Sequence, residues 1–466
     1  MRLTSNTDRL YPGLIAVFGL LTLGLIVRQI NLFINNPLAG DFRWLITNDY
    51  LTWLLIAFGL LTLIWRVSFA LLYRPCGAVS HTNLPSLSVI IPAFNEGEQV
   101  LATVRSILAS NYPLTDLEVI CVDDGSKDDT WHWMQKAEQE FPNNVTALRQ
   151  AKNAGKRKAL MAGFNRCSGE VIVTIDSDSE VLTNTLERIV SPFVFDQRIG
   201  SVAGNVRVLN IDSGPIAKMM EVSFTSAFDF IRAGQSVFGG VFCTPGALSA
   251  YRASVLRPLL AEWEQQTFLG QPANIGEDRA LTNLVLASGK RVTYARDAVV
   301  MTKVPEHFTQ LRKMLLRWAR SNVRENLVMM SYIFKPFRQQ DSGAPWVRLF
   351  AATQLLRMTL IEGLKIVLLL QLFLNPGRTL VAIAIGGLFA AIIPGIVHRI
   401  RYGGWFGFKW ALPFSYFWLI CLSWISIWGL LTAFQSAWLT RGKEKTPPLP
   451  AGNVLAHDDG LNPLAS

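Results

Sequence analysis

Cysteine is scarce in this chain: five in 466 residues, Cys76, Cys121, Cys167, Cys243 and Cys421, an odd number scattered without metal-ligand spacing. That excludes a disulfide framework and a structural zinc site, and it suits a reducing compartment. No stretch repeats at the period of a solenoid or propeller, so the chain is not a repeat array. Acidic residues are outnumbered, 34 against 44 Lys and Arg, for a net charge of +10. Much of that basic surplus flanks apolar segments, where it matches anionic lipid headgroups better than nucleic acid, and no nucleic-acid partner is expected. No small-residue cleavage site follows the early apolar runs, so they read as retained spans and not as a signal peptide.

What the chain has in excess is apolar sequence. Half of it is hydrophobic, too much over too great a length for one ordinary soluble domain. Residues 12–27 and 51–73 are near or above spanning length. Arg66 stands close enough to the end of the second run to snorkel. Hydrophobicity returns in 349–374, 379–397 and 409–438. In the last of these, Pro413 and the basic RGKEK beyond suggest an interface segment and a turn back to the cytosol. The expected organisation is two transmembrane helices in 1–74, a soluble domain in 75–304, an interface helix in 305–337, a C-terminal transmembrane or interface bundle in 338–440 and a polar tail in 441–466. The 31–50 link carries only Arg43 against Asp41 and Asp49, while the soluble domain and its flanks are rich in Lys and Arg. The domain is therefore expected to face the cytosol, in a protein integral to a bacterial inner (plasma) membrane.

The soluble domain opens with LSVIIPAFNEGEQV (87–100), a strand running into a helix from about Glu96. LEVICVDDGSKDDT (117–130) is a second strand that ends at Asp123 and Asp124. KNAGKRKALMAGFNRCSG (152–169) reads as a turn and helix, and EVIVTIDSDSE (170–180) as a buried strand that stops at Asp176 and Asp178. Strand, helix, strand, helix, strand is the pattern of a parallel sheet with crossover helices, so the fold expected is α/β, Rossmann-like and mostly parallel. Ligands of such sheets collect at the carboxyl ends of the strands. Carboxylates at Asp123 or Asp124 suit a nucleobase or ribose, and Lys156 and Lys158 suit phosphates. If Asp176 and Asp178 share one side of an extended segment, one can bind ribose while the other holds Mg²⁺ or Mn²⁺ on a nucleotide diphosphate. Taken alone, each motif has a plainer explanation: a solvated turn for DSD, and an acidic helix start for GEDR (276–279). For Arg317-Trp318, the plainer explanation is a membrane-interface pair.

The succession IPAFNE, VDDGSKDDT, NAGKRKAL, DSD, GEDRALT and RW, from Leu87 to Asn326, resembles family 2 glycosyltransferases of GT-A fold. Its second half, SVAGNVRVLN (201–210), TPGALSAYR (244–252), GEDRALTNLVLASGKRVTY (276–294) and LRWARSNVREN (316–326), looks most like hyaluronan synthases and the related chitin-oligosaccharide and poly-N-acetylglucosamine synthases. The resemblance implies a UDP-sugar donor, with Pro92, Ala93, Phe94 and Glu96 lining the uridine pocket beside Asp123 or Asp124 and Lys156. It implies Asp176 and Asp178 for ribose, diphosphate and metal, and Asp278 as catalytic base. Arg317 and Trp318 would close over diphosphate and acceptor, with Gly246, Glu277 and Trp318 on the acceptor side. Chemistry points the same way, because inverting transfer needs a carboxylate opposite the leaving group and a positive charge on the departing diphosphate. If Asp278 opens a helix, Glu277 and Arg279 should point elsewhere. Two positions depart from the family pattern: Met314 stands where a glutamine is usual, and Phe94 where tyrosine is frequent.

Residues 305–334 read as a helix in the cytosolic interface, with Pro305 and Glu306 in its first turn. Phe308, Leu311, Leu315 and Trp318 fall at helical spacing among Arg312, Lys313, Arg317, Arg320 and Arg324. Beyond it, Arg357, Glu362 and Lys365 form either a self-neutralised helix face or a polar path for sugar. The reading is an inverting, processive enzyme that extends a β-linked polysaccharide at the membrane, possible export included. Two others stand beside it: a non-processive synthase adding one sugar to a lipid, which Met314 favours, and an inactive scaffold or transporter subunit, which the full set of aspartates opposes.

Overall fold

The structure is a computed structural model and describes residues 50–435, apart from 340 and 375. The expected span at 12–27, nearly all of the 31–50 link and the tail at 441–466 lie outside the described residues. The first helix among the described residues, α1 (Tyr50–Leu72), leads into the sheet domain.

Three strands predicted from apolar runs form where expected: β1 (Leu87–Ala93), β2 (Leu117–Asp123) and β4 (Val171–Ile175). They alternate with α2 (Gln99–Leu108), α3 (Thr130–Glu140), β3 (Val145–Arg149) and α4 (Lys156–Arg166). Every residue of β1 is buried because both faces of the sheet are covered. Leu87, Val89, Ile91 and Ala93 enter one core, and Ile90 enters the other with Ile120 and Val122. A strand buried on both faces needs no polar alternation, hence the unbroken apolar run.

The chain continues through β5 (Ser179–Val181), α5 (Thr185–Phe195), β6 (Ile199–Val208) and α6 (Pro215–Phe224). A π-helical turn (Thr225–Phe230) and α7 (Ile231–Ser236) prolong α6. Then come β7 (Leu248–Arg252), a small hairpin of β8 (Thr267–Phe268) and β9 (Gln271–Pro272), α8 (Glu277–Ala287) and β10 (Arg291–Thr302). The main sheet has eight strands in the order β3-β2-β1-β4-β7-β6-β10-β5. The pairs β3·β2, β2·β1, β1·β4 and β6·β10 are parallel, and β7 runs antiparallel to both neighbours, as β5 does to β10. In register, Ala93 faces Asp123 and Asp123 faces Arg149, so the carboxyl ends of β1, β2 and β3 finish level.

The long basic helix is α9 (Phe308–Ile333), capped by His307, so Pro305 and Glu306 precede it instead of forming its first turn. Leu311 and Leu315 fill the core as their spacing implied. Arg320 and Arg324, two of the basic residues crowded in this stretch, are buried. Arg320 donates to Thr432 Oγ1 at 2.9 Å and Gln435 Oε1 at 2.7 Å, and Arg324 to Glu325 Oε1 at 3.0 Å and the Ile275 carbonyl. Arg312 and Lys313 remain exposed. The chain then runs through α10 (Ala344–Leu374), α11 (Pro376–Tyr402), α12 (Phe406–Phe417), a π-helical turn (Trp418–Leu422) and α13 (Trp424–Leu431).

Among the described residues one helical stretch, Thr379–Tyr402, is long and apolar enough to cross a membrane. The pair Phe406–Leu422 and Trp424–Leu431, bent by 44°, makes a second if it forms one span. The bend falls at Ser423, ten residues beyond Pro413, which lies inside α12. Two of the contacts that hold these helices to the sheet domain are an aromatic cluster and a buried charge. Trp65, Phe69, Phe238, Trp346 and Phe350 interlock α1, α10 and the loop after α7, with ring centroids 4.9–6.5 Å apart. Asp229, fully buried, takes Arg296 of β10 at 2.9 Å and Arg401 of α11 at 2.8 Å.

Candidate active site

The level strand ends build one side of a crevice. Past β1, Asn95 takes a left-handed φ of 54°, a conformation asparagine tolerates better than most residues. Its N–H donates to Ser126 Oγ at 3.0 Å, and the amides of Glu96 and Gly97 both donate to Thr130 Oγ1 at 2.9 Å. The PAFNE loop is thus tied to the loop after β2, and Phe94 and Glu96 stay half-buried at the mouth.

Asp123 and Asp124 are both buried and both committed to the fold. Asp123 Oδ1 accepts the Ser126 amide at 2.8 Å while Oδ2 lies 3.2 Å from Arg149 Nε. Asp124 accepts the amides of Ala154 and Gly155 at 2.8 and 2.9 Å, which fixes the turn that opens α4. That turn delivers Lys156, whereas Lys158 points away to a surface pair with Glu264 at 2.7 Å and does not join the site.

Lys156 Nζ lies 2.5 Å from Asp176 Oδ1 and 3.3 Å from Glu277 Oε1, joining the end of β4 to the start of α8. Gly246 completes the floor: a Cβ there would stand 2.9 Å from Lys156 Nζ and 3.5 Å from Asp176 Oδ2. Pro92, Lys156, Gly246, Tyr251, Glu277 and Asp278 line one small cavity. Asp178 sits in a turn, not in an extended segment as expected, and its Oδ1 accepts from Ser179 Oγ at 3.2 Å and Thr302 Oγ1 at 3.3 Å.

Two backbone constraints set the start of α8. Gly276 has φ +70°, and a Cβ there would collide with Ser321 of α9. Glycine is required on both counts. Asp278 then accepts its neighbour's amide, Arg279 N, on Oδ1 at 2.8 Å, and its Oδ2 faces Cys243 Sγ at 3.8 Å. Arg279 turns toward α9 as expected, donating to Asn322 Oδ1 and, at 3.0 Å, to Asn326 Oδ1. Glu277 does not point elsewhere: it is buried in the site against Lys156.

Electrostatics separates these carboxyls. Burial and the Glu277 charge raise Asp278 above the usual carboxylate range. Burial alone would raise Glu277 too, but Lys156 and Arg317 outweigh it and hold Glu277 below that range. Burial opposes the charge on Lys156, yet Asp176 and Glu277 prevail and raise its ammonium above the ordinary lysine value. Burial, aided by Asp176, pushes Asp178 up to about 6. Neighbouring acids driven apart in this way are the pattern expected where one must stay ionised and another must take a proton.

Beyond Arg279 and Trp318 opens a cavity of ≈ 830 Å³ between the β8–β9 hairpin, α9, α10 and α13. Its wall is mainly apolar, with a polar strip. Asn326 Oδ1 accepts from Gln354 Nε2 at 2.8 Å, and Arg357 and Glu362 face the space. Glu362 pairs with Lys365 at 2.8 Å, and Lys365 also donates to Ser426 Oγ at 2.6 Å. Trp318 lies against Phe224 and Phe228 on one side, at 6.2 and 6.4 Å. Met314 is buried in the core beside Leu311 and Leu315. Cys243 and Arg279 were not singled out as site residues from the sequence; Arg279 stands within a motif quoted for the resemblance, and Cys243 immediately precedes one.

Two hard carboxylates, Asp176 and Asp178, suit Mg²⁺ or Mn²⁺. Among the described residues no group of three His, Cys, Asp or Glu is placed to hold a metal ion; a hard divalent cation can take one or two carboxylates and complete its shell with substrate phosphates and water.

Residues 88–260 match the description "Glycosyl transferase family 2". An N-acetylglucosaminyltransferase of Rhizobium meliloti is 30% identical over 373 residues, 79% of this chain and 84% of that one. A hyaluronan synthase of Streptococcus pyogenes is 33% identical over 276 residues, 58% of this chain and 64% of the synthase, so the match spans just under two thirds of that relative. Among solved structures, a mannosyltransferase from Pyrobaculum calidifontis in complex with GDP-Man and Mn²⁺ superposes with a TM-score of 0.50 at 20% identity, covering 80% of this chain and 97% of that one, and shows the shared GT-A fold. A sheet whose strand ends gather acids and a lysine, a GT-A neighbour and a relative matched over most of its length agree: the chain belongs to glycosyl transferase family 2 and is a hexosyltransferase.

Proposed function

We propose that the protein is an inverting, processive glycosyltransferase that moves a sugar from a UDP-sugar to a growing β-linked polysaccharide at a membrane, its catalytic domain on the cytosolic side. The observation that carries this reading is the ≈ 830 Å³ cavity whose wall includes Arg279, the residue that follows Asp278 at the start of α8. That volume lies in the upper part of the range for ligand pockets and leaves room beyond the reacting sugar. The hyaluronan synthase and N-acetylglucosaminyltransferase relatives support the substrate class.

In this reading the donor lies along the strand ends. Phe94 offers a stacking face to uracil, with Pro92, Ala93 and Glu96 around it, and Asp123 and Asp124 hold the loops that shape the pocket. Asp176 and Asp178 would hold Mg²⁺ or Mn²⁺, which when bound offsets charge on the diphosphate. Lys156 and Arg317, both within the electrostatic reach of Glu277, supply further positive charge toward the leaving group. Asp278, its proton affinity raised, takes the proton of the acceptor hydroxyl as that oxygen attacks the anomeric carbon. Glu277 and Gly246 shape the floor between donor and acceptor, and Trp318 presents a ring to the acceptor sugar. The charged pair Glu362–Lys365 and Arg357 then solvate hydroxyls of the chain along the cavity.

The mainly apolar wall of that cavity favours a second reading, a synthase that adds one sugar to a lipid. One experiment separates them: purified enzyme in sealed proteoliposomes, radiolabelled UDP-sugars, and sizing of products inside and outside. The expected result is polymer, with Glu362→Leu shortening or retaining the chains while short-oligosaccharide synthesis persists. Single-sugar lipid products confined to the side of synthesis would replace the first reading with the second. Asp278→Asn should lower turnover by about 10²- to 10⁴-fold and keep UDP affinity.

A further inference from the structure

Asp278 is gripped at both oxygens, and only one grip is explained by helix geometry. Oδ1 takes the Arg279 amide at 2.8 Å. Oδ2 faces the thiol of Cys243 at 3.8 Å, a residue 35 positions earlier in the loop before β7. The sulfur stands equally far, 3.8 Å, from the Thr244 carbonyl, and the buried Arg232 guanidinium lies within its electrostatic reach. Arg232 is buried, lies over the Phe228 ring at 4.2 Å, and makes no ion pair among the described residues. Its Nη1 finds no hydrogen-bond partner, so the fold bears the cost of a desolvated cation. Asp278 is the carboxylate whose attraction it feels. The π-helical turn at Thr225–Phe230, a device that recurs at functional sites, immediately precedes Arg232 and carries Phe228, which also touches Trp318 at 6.4 Å.

We propose that Cys243 is a positioning residue that completes a two-point clamp on the Asp278 carboxylate. This rests on the reading of Asp278 as the base. The S–H has two acceptors at 3.8 Å, the Thr244 carbonyl and Asp278 Oδ2, and the ionised carboxylate is the stronger of the two. Burial and the Asp278 charge push the thiol up to about 11, so it keeps its proton and serves as a donor, not a nucleophile. The groups facing Asp278 are Glu277 and Arg279 on α8, Lys156 on α4, Arg232 on α7, Cys243, and the buried Tyr251 on β7.

A donor to a carboxylate favours its ionised form, so removing it raises the carboxyl's proton affinity. The base works ionised, and activity falls as pH drops through its value. Cys243→Ala should therefore move the acid limb of kcat/KM upward by about one pH unit, roughly a tenfold loss below the limb, with the KM for UDP-sugar unchanged. Cys243→Ser keeps one donor and one acceptor and should return the limb to its place. Running the profiles at two Mn²⁺ concentrations identifies the group, since a limb belonging to Asp178 shifts with the cation and one belonging to Asp278 does not. Calorimetric UDP binding verifies that each variant is folded. An unmoved limb in Cys243→Ala, or a Ser variant no better than Ala, overturns the clamp. Wild-type turnover by Asp278→Asn would overturn the base assignment itself.

Discussion

Gly276→Ala tests how tightly the start of α8 governs the chemistry. Two costs follow from the structure. At φ +70° an alanine occupies the left-handed region, about 1–2 kcal/mol above its ordinary conformations. Its methyl group would also meet Ser321, whose Cβ stands 2.7 Å from the new carbon, with Oγ nearer still. Carbon atoms make contact at about 3.5–4.0 Å, so the loop and the first turn of α8 must retreat from α9 by nearly an ångström. A displacement of that size at a reacting group costs about 10²-fold in rate. Glu277 and Asp278 are the next two residues and move with it. Ser321→Gly removes both offending atoms, at about 1 kcal/mol for a glycine inside a helix. Turnover measured as radiolabelled sugar incorporation should fall about 100-fold in Gly276→Ala and stay near wild type in Ser321→Gly. In the double variant it should recover to within about tenfold, because only the backbone cost remains. Unfolding in denaturant should show both variants destabilised and the double variant not rescued in stability. A Gly276→Ala enzyme at wild-type rate, or a double variant no faster than the single one, would refute the steric reasoning.

Two further outcomes follow from buried charge. Asp178, pushed up to about 6, holds its proton below that pH, so a divalent cation must compete with it. Cation-dependent UDP affinity measured by calorimetry should weaken about tenfold per pH unit below about pH 6, and Asp178→Asn should abolish both that dependence and transfer. In cation-free protein the same raised carboxyl favours the folded state at low pH, and this contribution fades as pH rises from about 4 through about 6. Arg401→Met leaves the fully buried Asp229 with Arg296 alone; since the Arg401 side chain is 23% exposed, the loss should be about 1–3 kcal/mol rather than a full buried-pair penalty. Chemical unfolding in detergent would read it, and an unchanged midpoint would mean that the pair does not dock α11 on the sheet domain.

The sequence by itself determined the elements whose signal is local. The runs at 87–93, 117–123 and 171–175 are apolar on both faces, so no partner need be known to read them as central strands, and their acidic ends mark the ligand edge. α9 was legible from Leu311 and Leu315 at helical spacing, though its first turn was not. Pro305 and Glu306 are good first-turn residues, yet the helix starts at Phe308. Tertiary structure decided what depends on which distant atoms meet. Glu277 and Lys156 are 121 positions apart and nothing in either motif announces their contact. Arg320 and Arg324 read as two more basic residues of an interface helix because sequence shows charge without partners; folding brings Thr432, Gln435 and a backbone carbonyl to them. β7, whose position between β4 and β6 makes the sheet mixed, enters antiparallel through pairings that no local periodicity encodes. Burial and neighbouring charge, which set the proton affinities of Asp178 and Asp278, exist only once those long-range contacts have formed.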